Sequence, residues 1–191
     1  MANLTTQTAK INCVISLKDK SYEAIKSAIM VDLQNWCEAN CKMYAYILHD
    51  KDTLDNGVSK TPHIHLVALL NSSRCRLSTT MNNLSAATGV NEMAISIEKA
   101  NDFNGSIQYL VHKNNTDKFQ YNVLDIMTNM PKGELDVYLN SDGGGVSIET
   151  LVAIVKQYRS VIDIIRAIGL QNYRLYRNVI WDIYTEIHNG Y

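Results

Sequence analysis

The sequence predicts an α+β fold: a ferredoxin-like antiparallel sheet with helices on one face, followed by a small all-α C-terminal module. Short segments with strand periodicity alternate with helical segments in the first 130 residues, in the order β-α-β-β-α-β-α. The apolar content of 46% is enough for a packed core. Pro131, Gly133 and the SDGGG stretch at residues 141–145 then interrupt the pattern, and only helical spacing follows. We therefore expect a first domain at residues 1–130, a linker at 131–146 and a helical domain at 147–191.

The first strand is predicted at residues 10–17, where apolar side chains alternate with polar ones. A helix follows, from an N-cap at Ser21 to about Asn40, with apolar residues at helical spacing. Two more strands are expected at residues 43–49 and 62–70. The polar connection between these strands contains an Asn-Gly turn signal.

The rest of the first domain adds two helices and one strand. A helix is predicted at residues 77–87 and a strand at 93–98. A last helix is capped by Asn101 or Asp102 and extends to about Lys113. Three amphipathic helices are expected in the C-terminal module, with glycine ending the second of them.

Composition sets limits on function and location. The net charge of −1 gives no sign of the positive excess that is usual in DNA-binding domains. No apolar run approaches the roughly 20 residues that span a bilayer, and the N-terminus does not resemble a secretory signal. The four cysteines form no metal-binding or disulfide pattern. We therefore expect a cytoplasmic protein with no membrane partner.

Three of the five histidines fall at predicted strand ends. His63 and His65 are two residues apart in one strand, so their side chains point to the same face. His49 closes the preceding strand and would lie near His63 if the two strands pair antiparallel. Asp52, or Asp50, could add an oxygen ligand. Such a set suits a divalent ion, whereas the alternative is an ordinary hydrogen-bonded histidine pair.

A tyrosine lies off the apolar face of the last predicted helix of the first domain. Tyr109 has His112 nearby and Lys113 one helical turn beyond it. A phenol has a pKa near 10, and a neighbouring cation such as Lys113 favours the phenolate. The alternative is one surface tyrosine among the eleven in the chain.

Three motifs occur in order: ILHDKD at residues 47–52, PHIHLVAL at 62–69 and QYLVHKN at 108–114. Together they resemble the rolling-circle plasmid replication initiators of the HUH endonuclease superfamily, and most of all the small RepB-like Rep proteins of Gram-positive bacteria. The resemblance implies the HUH endonuclease fold and Tyr109 as nucleophile. It implies a divalent metal, Mn²⁺ or Mg²⁺ with Zn²⁺ as an alternative, held by His49, Asp52, His63 and His65.

The resemblance also implies the reaction. Such proteins bind repeats of a plasmid origin and nick one strand in a hairpin loop, leaving a 5′-phosphotyrosine link and a 3′-hydroxyl primer. Viral relatives carry a lysine three residues after the tyrosine, where this chain has His112, so Lys113 is the candidate here. Only one tyrosine is evident at the motif. Glu98 is a weaker candidate for activating a water in a later step.

Partners follow from the same resemblance. Arg74 and Arg76 are candidates for contacts to DNA phosphates or bases, the alternative being solvated surface arginines. The sequence contains no GxxxxGK[ST] motif, so a host helicase would be required, together with a host polymerase. The C-terminal helices would make a homo-oligomer, or else form a helix-turn-helix with Arg174 and Arg177 facing DNA. Two competing functions remain: a related HUH relaxase or transposase, and a non-catalytic DNA-binding domain.

Overall fold

The protein divides into two compact units, residues 1–129 and 130–191, in a computed structural model. The residues that the structure describes are 4–18, 22–54, 56–140, 148–158, 160–168 and 170–188. Ser21 and the glycine expected to end a tail helix, Gly169, lie outside the described residues. None of the helices in the described segments is long and apolar enough to cross a membrane.

The first unit contains the sheet and three α-helices. Its strands are β1 Gln7–Thr8, β2 Lys10–Ser16, β3 Cys41–His49, β4 His63–Leu70, β5 Cys75–Arg76, β6 Ile95–Lys99 and β7 Met127–Thr128. Its helices are α1 Tyr22–Asn40, α2 Leu77–Thr88 and α3 Phe103–Leu110.

Five of the strands form one antiparallel sheet in the order β6-β2-β4-β3-β7. Without the short edge strand β7, this is the strand order of a ferredoxin-like fold, so the predicted fold class is confirmed. β1 and β5 make a separate antiparallel pair. The central position of β4 matters for function, because this strand carries two of the candidate ligands.

One face of the sheet packs against α1 and α2. Ile64 and Leu66 of β4 are buried there, together with Leu33 of α1 and Leu84 of α2. This arrangement agrees with the expectation of helices on one face, because side chains alternate along a strand and every second residue is apolar.

The third helix departs from that expectation. His65 lies between Ile64 and Leu66 and so points to the opposite face, where its ring centroid is 5.3 Å from that of Tyr109 in α3. α3 therefore covers the second face of the sheet. This helix covers the face on which His65 lies, and it also carries the polar side chain of Tyr109 toward that histidine.

Two predicted boundaries were wrong by a few residues. Glu92–Ala94 forms a 3₁₀ turn, capped by the Asn91 side chain, which accepts a hydrogen bond of 2.8 Å from the Met93 N–H, so β6 begins only at Ile95. α3 ends at Leu110 rather than Lys113. Its predicted start is correct, because the Asp102 side chain caps it.

In the second unit, the described residues form four helices. They are α4 Lys132–Asn140, α5 Ile148–Gln157, α6 Val161–Ile168 and α7 Leu170–His188. Their shared core is formed by Val137, Leu151, Ile154, Val155, Ile164 and Ile180.

The expected linker at residues 131–146 is wrong for residues 132–140, which form α4. The carbonyl of Pro131 accepts hydrogen bonds from the N–H groups of Glu134 and Leu135, at 2.9 and 3.1 Å. Proline thus starts a helix here rather than breaking the chain, as its fixed φ allows. The remaining linker residues, 141–146, lie outside the described part of the chain.

Candidate active site

Three histidines meet at one end of the sheet. β3 and β4 pair so that His49 lies directly opposite His63, as the sequence predicted. His65 follows on the same face of β4, and its ring centroid is 4.5 Å from that of His49 and 4.9 Å from that of His63. One ring nitrogen from each histidine lies within 4.8 Å of the others, which is close enough to share an ion.

Asp52 lies just beyond β3 and turns its carboxylate toward these histidines. Its Oδ2 is 3.7 Å from His49 Nδ1 and 3.7 Å from His63 Nε2. The backbone holds it there, because the Lys60 N–H donates a hydrogen bond of 2.8 Å to the Asp52 carbonyl. Asp52, rather than Asp50, is thus the carboxylate among the metal-ligand clusters of the described residues.

A fourth histidine, His112, joins the cluster. It is fully buried, and its Nδ1 is 3.8 Å from Asp52 Oδ1. His49, Asp52 and His112 form a second group that could hold an ion. In the sequence, His112 was noted only as a neighbour of Tyr109. Histidine is rare in the chain, which was a signal that His112 could belong to a site. The backbone turn that carries its side chain inward cannot be predicted from the sequence.

That turn ends α3. His112 has φ +57°, the only positive φ of a non-glycine residue in the described segments. Its N–H donates to the Tyr109 carbonyl at 3.0 Å, and the Lys113 N–H donates to the Gln108 carbonyl at 3.1 Å. These two bonds form a Schellman motif, in which glycine usually occupies the left-handed position. A histidine in this position is strained and persists because its surroundings hold it.

Backbone carbonyls fix the protonated nitrogen of three imidazoles. A carbonyl oxygen only accepts, so the ring nitrogen that contacts it carries the proton and the other nitrogen keeps its lone pair. The contacts are His49 Nε2 to Leu110 O at 2.7 Å, His63 Nδ1 to Thr61 O at 2.9 Å and His112 Nδ1 to Phe119 O at 2.8 Å.

Two of the remaining nitrogens are buried without a partner. Among the described residues, His49 Nδ1 and His112 Nε2 have no hydrogen-bond donor or acceptor. Buried polar atoms are normally paired. Each of these two lone pairs lacks a hydrogen-bond partner, and a metal ion could be that partner. The donor set of imidazoles and one carboxylate therefore fits a divalent metal ion.

Electrostatics keep two imidazoles neutral. Burial lowers the pKa of His49 to about 4, although the Leu110 carbonyl and the Asp52 carboxylate oppose the shift. Burial, followed by the other histidines, lowers the pKa of His65 to about 2. Both are neutral at pH 7, which is the form that binds metals.

Tyr109 lies against this cluster. Its ring centroid is 5.3 Å from that of His65 and 5.0 Å from that of His112. Lys118 Nζ donates a hydrogen bond of 2.7 Å to Tyr109 Oη, and this bond raises the pKa of Lys118. The expected placement of Lys113 on the helix beside Tyr109 was wrong, because α3 ends at Leu110. The lysine that contacts the phenol is Lys118, in the following loop.

A second tyrosine, missed in the sequence, supports the ligands. The Tyr121 ring stacks on that of His49, with centroids 4.4 Å apart and planes at 9°. Its hydroxyl donates to Asp52 Oδ1 at 3.1 Å and accepts from the Lys51 N–H at 2.8 Å. Burial raises its pKa, so it stays a neutral donor. Tyr121 orients the carboxylate and one imidazole.

A cavity of about 450 Å³ opens beside Tyr109, between α3 and strands β2, β4 and β6. His65 and Tyr109 line it, so it is continuous with the histidine cluster. Glu98, the sequence candidate for activating water, lines it as well, together with Asn12.

Arg74 and Arg76 lie elsewhere. They flank the end of β4 opposite to His63, and the eight residues of this strand span roughly 25 Å. Both line a second cavity, of about 400 Å³, that contains none of the histidines. The structure does not bring them to the candidate active site.

Comparison with known proteins assigns the chain to a family. The model of the family described as "Plasmid replication protein, origin binding domain" matches residues 22–136, more than half of the chain. The chain belongs to this family. The predicted resemblance to plasmid replication initiators is thereby confirmed.

One curated protein is also similar to this chain. A "Replication protein" of Onion yellows phytoplasma (strain OY-M) is 31% identical over 97 residues, which are 45% of this chain. The chain covers 24% of that relative's length.

Proposed function

We propose that this origin-binding protein nicks one DNA strand at a plasmid origin by attack of Tyr109 on a phosphodiester. The observation that carries the proposal is the position of the Tyr109 phenol. It lies beside a cluster of imidazoles and a carboxylate, and it accepts a hydrogen bond from Lys118. A nucleophile, a cation that supports it and a metal-type ligand set thus occupy one end of the sheet.

The ligands would be His49, Asp52, His63 and His65, with His112 as a further imidazole donor. Mn²⁺ or Mg²⁺ is the expected ion and Zn²⁺ the alternative; imidazole-rich sites favour Mn²⁺ and Zn²⁺ over Mg²⁺. When bound, such an ion supplies Lewis-acid polarisation of a phosphate oxygen.

The residues of the chain account for the rest of the reaction. The Tyr109 oxygen bonds to phosphorus and releases its proton to solvent, while the bond from phosphorus to the 3′ oxygen breaks. The 3′ oxygen takes up a proton and becomes the free hydroxyl. The Lys118 ammonium, held at 2.7 Å, favours negative charge on the attacking oxygen. One phosphodiester bond replaces another, so the link to tyrosine keeps the free energy for rejoining.

Binding of the double-stranded origin would use a surface away from Tyr109. We propose Arg74 and Arg76 for this contact, because they lie at the far end of β4 and line a separate cavity. A host helicase would then unwind the duplex, and a host polymerase would extend the free 3′-hydroxyl.

The second unit would assemble copies of the chain. Ile162, Val179 and Trp181 are large apolar residues that are exposed on α6 and α7, as expected for a subunit interface. The helix-turn-helix alternative retains Arg177, which is exposed on α7. Sedimentation of the full chain, and of a variant with Trp181→Glu, distinguishes these alternatives through the change in mass.

The decisive experiment is trapping of a covalent adduct. Full-length protein is incubated with Mn²⁺ and labelled single-stranded origin DNA, and the peptide bearing the nucleotide is identified by mass spectrometry. We expect Tyr109 to carry it, Tyr109→Phe to form none, and Tyr158→Phe, in the second unit, to match the unaltered protein. EDTA should abolish the adduct and Mn²⁺ restore it. Cleavage by Tyr109→Phe, or DNA binding without any adduct, would overturn the proposal.

A further inference from the structure

The cavity beside Tyr109 has the size of a ligand site and no role in the reaction proposed above. Its volume of about 450 Å³ lies within the roughly 300–1,000 Å³ of small-ligand pockets. We propose that it holds one base of the cleaved strand and selects bases that carry an exocyclic amino group. This inference rests on the proposed function, because it assumes that a DNA strand reaches Tyr109.

Position is the first argument. His65 and Tyr109 line the cavity and also belong to the cluster that would hold the scissile phosphate. A strand with its phosphate at the Tyr109 hydroxyl therefore has a neighbouring nucleotide at the mouth of the cavity. A base can leave the stack and enter such a pocket, as it does in enzymes that act on the bases themselves.

The lining chemistry is the second argument. Asn12 and Glu98 face each other across β2 and β6, which brings their Cβ atoms to about 5 Å. Both lie on the sheet face that α3 covers, because their neighbours Cys13 and Ile97 belong to the core on the other face. The carboxylate of Glu98 only accepts hydrogen bonds and repels phosphate. The base, rather than the backbone, is therefore the part of the nucleotide that fits here.

An unpaired acceptor adds to this preference. Asn12 Oδ1 is buried and has no hydrogen-bond partner among the described residues. Two neighbouring acceptors match the amino groups of adenine, cytosine and guanine. Thymine has no amino group, and its single N–H donor lies between two carbonyl oxygens, so it would leave one of the two acceptors unpaired and facing a carbonyl oxygen.

A binding selection tests the inference without cleavage. Full-length Tyr109→Phe protein selects from a randomised single-stranded DNA library, alongside the same protein with Glu98→Gln. Glu92→Gln is the control, since this exposed glutamate is not among the residues lining the cavity. We expect one position at which thymine is depleted about tenfold, the effect of one good base contact. Glu98→Gln should remove the depletion there, because an amide also donates, whereas Glu92→Gln should retain it.

Equal base preferences with and without Glu98→Gln, enrichment of thymine, or no selected base at all would overturn the inference. Thermal unfolding of the Glu98→Gln and Glu92→Gln proteins identifies any loss that comes from misfolding. If the Glu98→Gln protein misfolds, Glu98→Asp replaces it, because aspartate keeps the acceptor and should retain the thymine depletion. Loss of the depletion in a folded Glu98→Asp protein also counts against the inference.

Sequencing of DNA in covalent adducts separates this inference from the proposed function. With Tyr109 intact, the selected base should lie next to the cut, and Glu98→Gln should change the preference there. Accumulation of adduct with an unchanged preference would mean that Glu98 activates water instead. Absence of adducts, with a Glu98-dependent preference in the binding selection, would refute nicking but leave the base pocket in place.

Discussion

Lys118 Nζ and Tyr109 Oη are joined by a hydrogen bond of 2.7 Å, although the two residues are nine positions apart in the chain. The ammonium also lies 4.8 Å from the centroid of the tyrosine ring. We predict that Lys118→Met lowers the rate of adduct formation by about a hundredfold, because the phenolate loses its nearest positive charge. Single-turnover cleavage of single-stranded origin DNA measures the effect.

The matched control for that change is Lys113→Met, which removes the lysine that the sequence favoured. It should alter the rate by less than about threefold, whereas Lys118→Arg should recover part of the loss. Equal losses in Lys118→Met and Lys113→Met would show that general positive charge, and not this contact, matters.

Tyr121→Phe tests the support of the ligands. The change keeps the ring that stacks on His49 but removes the donor to Asp52 and the acceptor for the Lys51 N–H. We predict roughly 10-fold to 100-fold weaker binding of Mn²⁺, as is usual when a side chain that hydrogen-bonds to a metal ligand is lost. Titration calorimetry measures the dissociation constant; unchanged affinity in a folded variant contradicts the role of Tyr121.

Stability should depend on pH through the buried imidazoles. The pKa values of His49 and His65 are lowered to about 4 and about 2, whereas an unfolded histidine titrates near 6.5. Below pH 6.5 the unfolded chain binds protons that the folded chain excludes. The free energy of unfolding must therefore fall as the pH drops from about 6.5 toward 4, by up to about 1.4 kcal/mol per pH unit for each group.

Denaturant unfolding of metal-free protein in EDTA measures this slope. His65→Gln should make it shallower, because the side chain of glutamine does not titrate. An identical slope in both proteins would mean that His65 is not held neutral in the folded state.

The left-handed backbone at His112 predicts an unusual order of stabilities. His112→Gly and His112→Ala both remove the imidazole, but only glycine adopts φ +57° without strain. We expect the glycine variant to be more stable than the alanine variant by about 1 kcal/mol in chemical unfolding. The opposite order would mean that α3 ends differently in solution.

The distant arginines should matter for duplex binding alone. Replacing Arg74 and Arg76 by alanine should weaken binding to duplex origin DNA. The slope of log affinity against log salt should become shallower by about 2, if each arginine contacts one phosphate. Cleavage of a single-stranded substrate should stay unchanged. Equal loss in both assays would place the arginines on the path of the single strand.

The sequence predicted the sheet and the three strand histidines because both depend on short-range periodicity. Alternation along β4 puts His63 and His65 on one face, and antiparallel pairing brings His49 opposite His63. The helix-start signal at Asp102 was equally local. These features needed no knowledge of distant contacts.

The missed features depend on long-range packing. Tyr121 reaches Asp52 across 69 residues, and Lys118 reaches Tyr109 only because α3 stops at Leu110. At that stop, a histidine occupies a backbone region in which glycine is the usual residue. Helical spacing continued to Lys113 in the sequence, so periodicity alone gave no sign of the contact between Lys118 and Tyr109.

The alternation of β4 also limits how this protein can evolve. A one-residue shift in the register of β4, as an insertion or deletion within the strand would cause, would exchange the two faces of the strand, turning the imidazoles of His63 and His65 into the core and Ile64 and Leu66 out of it. The protein would then lose both its packed core and its candidate active site. Homologues should therefore vary in the length of the loop before β4 far more freely than within the strand, and any natural indel in the strand should come in pairs.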